Sequence, residues 1–64
     1  MKLYVGNESE RKFLAKVDDV FDAWKEIDKY LNFETHYHSY REMPDGSIEI
    51  DCGCTSNFFY YQKD

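Results

Sequence analysis

The chain has 64 residues and carries thirteen acidic against eight basic side chains, for a net charge of −5. This length allows one domain with a small core, so we expect residues 1–64 to form a single folding unit. An acidic chain repels phosphate backbones and anionic lipid, which argues against nucleic-acid and membrane-surface binding. Aromatic residues make up 19% of the chain, too many for an acidic disordered segment.

The first part of the chain predicts a β-hairpin. Residues 2–5 alternate between apolar and polar side chains, and a turn with glycine and asparagine follows. Residues 12–17 alternate again as a second strand. We expect one face of this second strand to carry Phe13, Ala15 and Val17.

An amphipathic helix is predicted over residues 19–32. Asp18 or Asp19 supplies the N-cap, and Asn32 is a suitable C-terminal stop. Between them the apolar period changes to 3.6 residues, which is typical of a helix with one buried stripe. We expect Trp24, in the middle of this stripe, to be buried against the sheet. The stripe consists of Val20, Ala23, Trp24, Ile27, Tyr30 and Leu31.

A second hairpin is predicted around the turn Met43-Pro44-Asp45-Gly46-Ser47. Proline favours the second position of a type I turn, and the glycine suits the left-handed residue that follows such a turn. Residues 36–43 and 48–54 alternate on either side. The turn sets a register that pairs Tyr40 with Ile50, Arg41 with Glu49, Tyr37 with Gly53, His38 with Cys52 and His36 with Cys54.

Residues 58–62 predict a last strand that is aromatic on both faces. One pair of rings, either Phe58 with Tyr60 or Phe59 with Tyr61, belongs under the helix, and the other pair lies on the uncovered face. We assign Phe59 and Tyr61, together with Tyr37, to a candidate protein-binding surface. If this strand forms a sheet edge, its aromatic rows could pair with a second copy of the chain in a homodimer.

The order of the elements predicts an α+β fold. Strand, strand, helix and three strands favour an antiparallel-rich sheet of four to five strands, with the helix packed on one face. This hairpin–helix–hairpin plan is similar to a β-grasp arrangement.

The second hairpin also places two imidazoles opposite two thiols, which are the preferred ligands of Zn²⁺. A zinc-binding module that uses His36, His38, Cys52 and Cys54 is therefore the alternative function. A regular strand ladder holds four side chains in a rectangle, whereas zinc requires a tetrahedron, so we expect no bound metal and no other cofactor.

A cysteine nucleophile activated by histidine is a further possibility, with His38 acting on Cys52. The chain offers no glycine-rich oxyanion loop and no third group to orient the histidine, so we predict no enzymatic activity. Cys52 and Cys54 are separated by one residue, so in a strand they share a face but lie too far apart for an easy disulfide bond. Met1–Gly6 is too short an apolar run for a signal peptide. We therefore expect reduced thiols and a cytoplasmic location.

The segments 45–53 (DGSIEIDCG) and 56–60 (SNFFY) resemble small uncharacterised proteins of phages and prophages of Gram-positive bacteria. The resemblance implies an accessory role in a bacterial or phage cytoplasm, and it brings no catalytic signature. The chain is small, acidic and rich in aromatic residues, and it shows no arrangement of catalytic residues. These features together predict a non-enzymatic protein that acts by binding another protein.

Overall fold

The computed structural model describes residues 1–7, 9–32, 34–53 and 58–63, which form a five-stranded antiparallel sheet and one helix. The predicted α+β class and the order ββαβββ are confirmed. Strand β3 is shorter than the predicted alternating run, while β5 has the predicted bounds. The elements are β1 (Lys2–Gly6), β2 (Arg11–Lys16), α1 (Val20–Leu31), β3 (Ser39–Glu42), β4 (Ile48–Asp51) and β5 (Phe58–Gln62).

The strand order of the sheet is β2-β1-β5-β4-β3, so the last strand of the chain lies in its centre. Both sides of β5 are already paired, with β1 and with β4. The condition for a homodimer through this strand, that β5 forms a sheet edge, is therefore not met. The central β1–β5 pair is antiparallel, which distinguishes the sheet from a β-grasp arrangement with its parallel central pair. The edges of the sheet are β2 and β3.

Helix α1 has the predicted caps at both ends. The Asp19 carboxylate accepts a hydrogen bond from the backbone N–H of Asp22 at 2.9 Å, which satisfies one of the helix's unpaired N-terminal donors. At the other end Asn32 adopts the left-handed conformation, with φ of 61°. Ala23 and Ile27 are fully buried against the sheet. Of the predicted apolar stripe, Ala23, Ile27 and Leu31 therefore face the core, whereas Tyr30 is exposed.

The core lies between α1 and one face of the sheet. Phe59 is fully buried there, and Tyr61 packs against the same cluster. This settles which ring pair of β5 lies under the helix, because alternate residues of a strand share a face. The buried cluster comprises Leu3, Val5, Val17, Ala23, Ile27, Ile50, Cys52 and Phe59.

Phe13 does not share a face with Ala15, contrary to the prediction. The register of β1 and β2 pairs Leu3 with Ala15 but Tyr4 with Phe13, so Leu14 is an extra residue in β2. Such a bulge shifts the alternation by one residue. Phe13 consequently packs edge-to-face on Tyr4, on the sheet face away from the helix, and Leu14 packs against the core instead.

The second hairpin has the predicted turn and register. The backbone N–H of Gly46 donates to the Met43 carbonyl at 2.9 Å, and the Met43 N–H donates to the Ser47 carbonyl at 2.8 Å. Gly46 has φ of 89°, as the turn requires. The observed pairs include Tyr40 with Ile50 and Arg41 with Glu49, and the Tyr37 ring covers Gly53.

Candidate protein-binding surface

Four rings meet beside the helix, on its side toward β3, and we call Phe21, Trp24, His38 and Tyr40 the aromatic cluster. The Trp24 indole packs edge-to-face on Phe21, with centroids 5.0 Å apart, and stacks on His38 at 4.8 Å with 8° between the planes. Its Nε1–H donates to the Tyr40 hydroxyl at 2.6 Å. Phe21 is 62% exposed and Tyr40 is 45% exposed. The cluster is therefore ordered by its own contacts while its outer rings remain open to solvent.

Trp24 lies at the centre of this cluster and is only half-buried. The prediction that it is buried against the sheet is wrong, because Ala23 and Ile27 occupy that position on the helix. The indole instead lies to the side of the helix that faces β3, where it binds His38 and Tyr40.

The imidazole of His38 is held in place by the loop that joins α1 to β3. The Thr35 hydroxyl donates to Asp28 Oδ1 at 2.5 Å and lies 2.9 Å from His38 Nε2. A hydroxyl has one hydrogen and a carboxylate only accepts, so His38 Nε2 carries a hydrogen and donates it to Thr35. The Thr35 backbone N–H also donates to Asp28 Oδ1, at 3.2 Å. The loop is thus tied to the helix, and the imidazole is oriented flat against Trp24.

The Tyr40 hydroxyl has an environment that disfavours its ionised form. Partial burial raises the pKa of Tyr40 above 10.0, and the nearby Cys52 adds to this effect. The hydrogen bond from Trp24 opposes it, because it stabilises the tyrosinate. Tyr40 therefore remains a neutral phenol around neutral pH, able to donate a hydrogen bond of its own.

Acidic side chains dominate the part of the chain that contributes the cluster. Residues 18–51 hold ten acidic and three basic side chains. Glu42 lies two residues beyond Tyr40 on the same face of β3, and Asp28 is linked to the cluster through Thr35. The opposite edge differs in charge, since β2 carries three basic and no acidic residues. The β2 edge is therefore basic, whereas β3 carries one basic and one acidic residue within a segment whose net charge is −7.

The sheet face away from α1 carries a polar network around Tyr60, which is fully buried. The Tyr60 hydroxyl donates to Glu49 Oε2 at 2.9 Å, and the Arg11 guanidinium lies 4.0 Å from the centre of its ring. The Arg41 guanidinium binds both oxygens of the Glu49 carboxylate, with Nε 3.2 Å from Oε1 and Nη2 3.3 Å from Oε2. The predicted pairing of Arg41 with Glu49 is thereby confirmed, and the two side chains form an ion pair.

The same network extends to the turn of the second hairpin. Arg11 Nη1 lies 3.1 Å from Asp45 and donates to the Ser47 hydroxyl, also at 3.1 Å. Hydrogen bonds from the Ser47 hydroxyl and backbone N–H lower the pKa of Asp45 below 3.8, and Arg11 contributes to the same direction. An open depression of about 490 Å³ adjoins the network and is lined by Asn7, Ser9, Arg41, Glu49, Phe58 and Tyr60. The charged groups of this face thus bind one another through ion pairs and hydrogen bonds, although Arg11 Nε is buried without a hydrogen-bond partner among the described residues.

The residues assigned to protein binding from the sequence are not brought together. Phe59 is fully buried under the helix, and Tyr61 is half-buried there, with its hydroxyl against the Met1 sulfur. The prediction that Phe59 and Tyr61 lie on an exposed surface is wrong, because β5 lies in the centre of the sheet and these two side chains face α1. Tyr37 is 58% exposed and retains its predicted place over Gly53. Sequence reasoning missed Phe21, although its place outside the buried helical stripe could have indicated exposure.

The zinc-binding alternative finds no support among the residues that the structure describes. No group of three or more potential metal ligands occurs among them. His38 uses Nε2 to bind Thr35, Cys52 is buried in the core, and His36 is exposed. Cys54 lies outside the described residues.

No protein-family model, curated protein or solved structure matches the chain. Within the described ranges, α1 is the one helix, and it is too short to cross a bilayer.

Proposed function

We propose that this protein is a small non-enzymatic accessory protein that binds a basic partner protein through the aromatic cluster. The observation that carries the proposal is the ordered contact of Phe21, Trp24 and Tyr40 at a solvent-exposed edge. We further propose a cytoplasmic location and an accessory role of the kind that the resemblance to phage and prophage proteins implies.

Aromatic side chains are the residues most enriched at the centres of protein interfaces. Single exposed apolar residues are ordinary on protein surfaces, whereas contiguous rings indicate a contact site. In this cluster Trp24 is fixed by an edge-to-face contact, a stack and a hydrogen bond. Such pre-organisation reduces the side-chain entropy that is lost on binding, which supports a role in recognition.

The negative charge of the segment that contributes the aromatic cluster indicates which kind of partner protein it would bind. The segment that contributes the cluster has a net charge of −7, from ten acidic and three basic residues. This excess attracts lysine- or arginine-rich surfaces and repels acidic ones. Exposed rings also bind cationic side chains over their faces. A partner with basic and apolar side chains interspersed fits both features.

The test compares two phenylalanines of similar exposure on opposite faces. Phe21 is 62% exposed in the cluster, and Phe13 is 50% exposed on the face away from the helix. Tagged wild-type protein, Phe21→Ser and Phe13→Ser are used to capture proteins from a lysate of the organism that encodes the chain. Circular dichroism melts establish that both variants are folded.

We expect wild type and Phe13→Ser to retain the same basic protein, and Phe21→Ser to lose it. Raising the salt concentration from 50 to 500 mM, about a threefold change in screening length, should weaken the capture. Equal capture by both variants would show that the aromatic cluster is not the binding surface.

A further inference from the structure

We infer that the partner binds as an extended basic strand added to the outer edge of β3. The inference rests on the proposed function, and it specifies how the partner binds. β3 is an edge of the sheet, and it lies directly beside the aromatic cluster, to which it contributes Tyr40.

The hydrogen bonds of the hairpin show which backbone groups point outward. Met43 directs its N–H to β4, where it binds the Ser47 carbonyl. Every second residue of an antiparallel strand faces the same neighbour, so Arg41 and Ser39 also direct their N–H and C=O groups to β4. Tyr40 and Glu42 lie between these positions. Their N–H and C=O groups therefore point away from β4, in the arrangement that accepts an added strand.

The two edges of the sheet differ in their suitability for a basic strand. β2 is interrupted by the bulge at Leu14 and carries Arg11, Lys12 and Lys16, which repel another basic segment. β3 is regular over its four residues and pairs with β4 without a register shift. β3 itself carries one acidic and one basic residue, and the segment 18–51 that contains it holds the acidic excess. Charge and regularity thus both favour β3 over β2 for a basic strand.

The side chains of the added strand would lie on two different surfaces. Tyr40 and Glu42 project from the helix-facing side of β3, and Arg41 projects from the other side. Alternate residues of a strand added here meet the aromatic cluster and Glu42, while the residues between them lie beside Arg41. A sequence that alternates lysine with valine fits this arrangement when its lysines face the helix side.

The test measures amide hydrogen exchange by NMR, with a synthetic peptide as the probe. The peptide has eight residues, alternates lysine and valine, and is blocked at both termini. On its addition we expect exchange at Tyr40 and Glu42 to slow by at least about tenfold. The amides of Ser39 and Arg41 bind β4 and should be protected with and without the peptide.

Two variants separate the backbone contact from the charge. Glu42→Pro removes an outward N–H and keeps the ladder to β4, since proline is tolerated at such positions of edge strands. Glu42→Gln removes the same charge and retains the N–H. We expect Glu42→Pro to weaken peptide binding at least about tenfold more than Glu42→Gln does. A peptide with glutamate in place of lysine should bind at least about tenfold more weakly to the wild type.

The results also separate this inference from the proposed function. If the lysine peptide shifts the Phe21 and Trp24 signals and leaves the Tyr40 and Glu42 amides unprotected, strand addition is refuted while the cluster remains a binding surface. Protection of these two amides by self-association, in the absence of peptide, would make a second copy the occupant and overturn the inference. Failure of the lysine peptide to bind would overturn it as well.

Discussion

Replacing Tyr60 by phenylalanine removes one oxygen atom from the buried network on the sheet face away from α1. The Tyr60 hydroxyl donates to Glu49 Oε2 at 2.9 Å, and the Glu49 side chain is only 9% exposed. A hydrogen bond to a charged acceptor contributes about 1.5–3 kcal/mol. Arg41 still holds the carboxylate in the variant, and Arg11 still lies over the ring. We therefore expect Tyr60→Phe to lower the free energy of unfolding by about 2 kcal/mol.

The assay is urea denaturation followed by circular dichroism, with Tyr37→Phe as the matched control. Tyr37 is 58% exposed, so removal of its hydroxyl should change the free energy of unfolding by less than about 0.5 kcal/mol. The m-value should be the same in both variants, because the surface exposed on unfolding is unchanged.

A double-mutant cycle tests whether the lost free energy of unfolding comes from the hydrogen bond between Tyr60 and Glu49. In a Glu49→Met background the acceptor is absent, and Tyr60→Phe should cost less than about 0.5 kcal/mol. If Tyr60→Phe costs no more than Tyr37→Phe, or costs the same in the Glu49→Met background, the buried hydrogen bond does not stabilise this face.

Four further predictions concern the core, the turns, alkaline pH and metal content. Ile27→Ala removes a fully buried side chain and should cost about 2–5 kcal/mol in urea denaturation, and a cost below about 1 kcal/mol would contradict the helix packing. Gly46→Ala meets no atom within 4 Å and should cost about 1 kcal/mol through its positive φ alone. Gly6→Ala would bring its Cβ into a clash with the backbone oxygen of Glu10, so thermal melts should show a larger loss of stability than for Gly46→Ala. Burial raises the pKa values of Tyr40 and Tyr61 above 10.0, so the unfolded chain releases these protons first, and stability should fall as the pH rises through the raised pKa values. Tyr61→Phe should reduce this fall in pH-dependent melts, and an unchanged slope would refute the assignment. Elemental analysis of purified protein should find less than one equivalent of zinc, and melting should be unchanged by chelator; a large loss of stability on chelation would revive the zinc alternative.

Local features of the fold were readable from the amino-acid sequence because they depend on near neighbours. The caps at Asp19 and Asn32 bracket a helix whose apolar period is visible in the sequence. The turn at Gly46 determines the register of the second hairpin, and with it the Arg41–Glu49 ion pair. Each of these features joins residues that are at most eight positions apart, so turn chemistry and side-chain period suffice to predict it.

The candidate binding surface was not readable in the same way. The sequence placed Trp24 in the apolar stripe and His38 opposite Cys52. The stack of these two rings on each other was not predicted, and it forms because Thr35 and Asp28 hold the loop that carries His38. Periodicity indicates which side of a helix is apolar. It does not indicate which loop packs beside that apolar side, as the loop with His38 does here.

The type and order of the elements, the helix caps and the turn at Gly46 follow from the amino-acid sequence alone. The strand order, which places β5 between β1 and β4 and turns Phe59 inward, arises only when the whole chain packs together. The bulge at Leu14 and the contact of Arg11 with Tyr60 arise in the same way. Strand order and long-range contacts result from competition among pairings that join distant parts of the chain. Their outcome depends on the total apolar area buried and on loop closure, and neither leaves a periodic pattern in the local sequence.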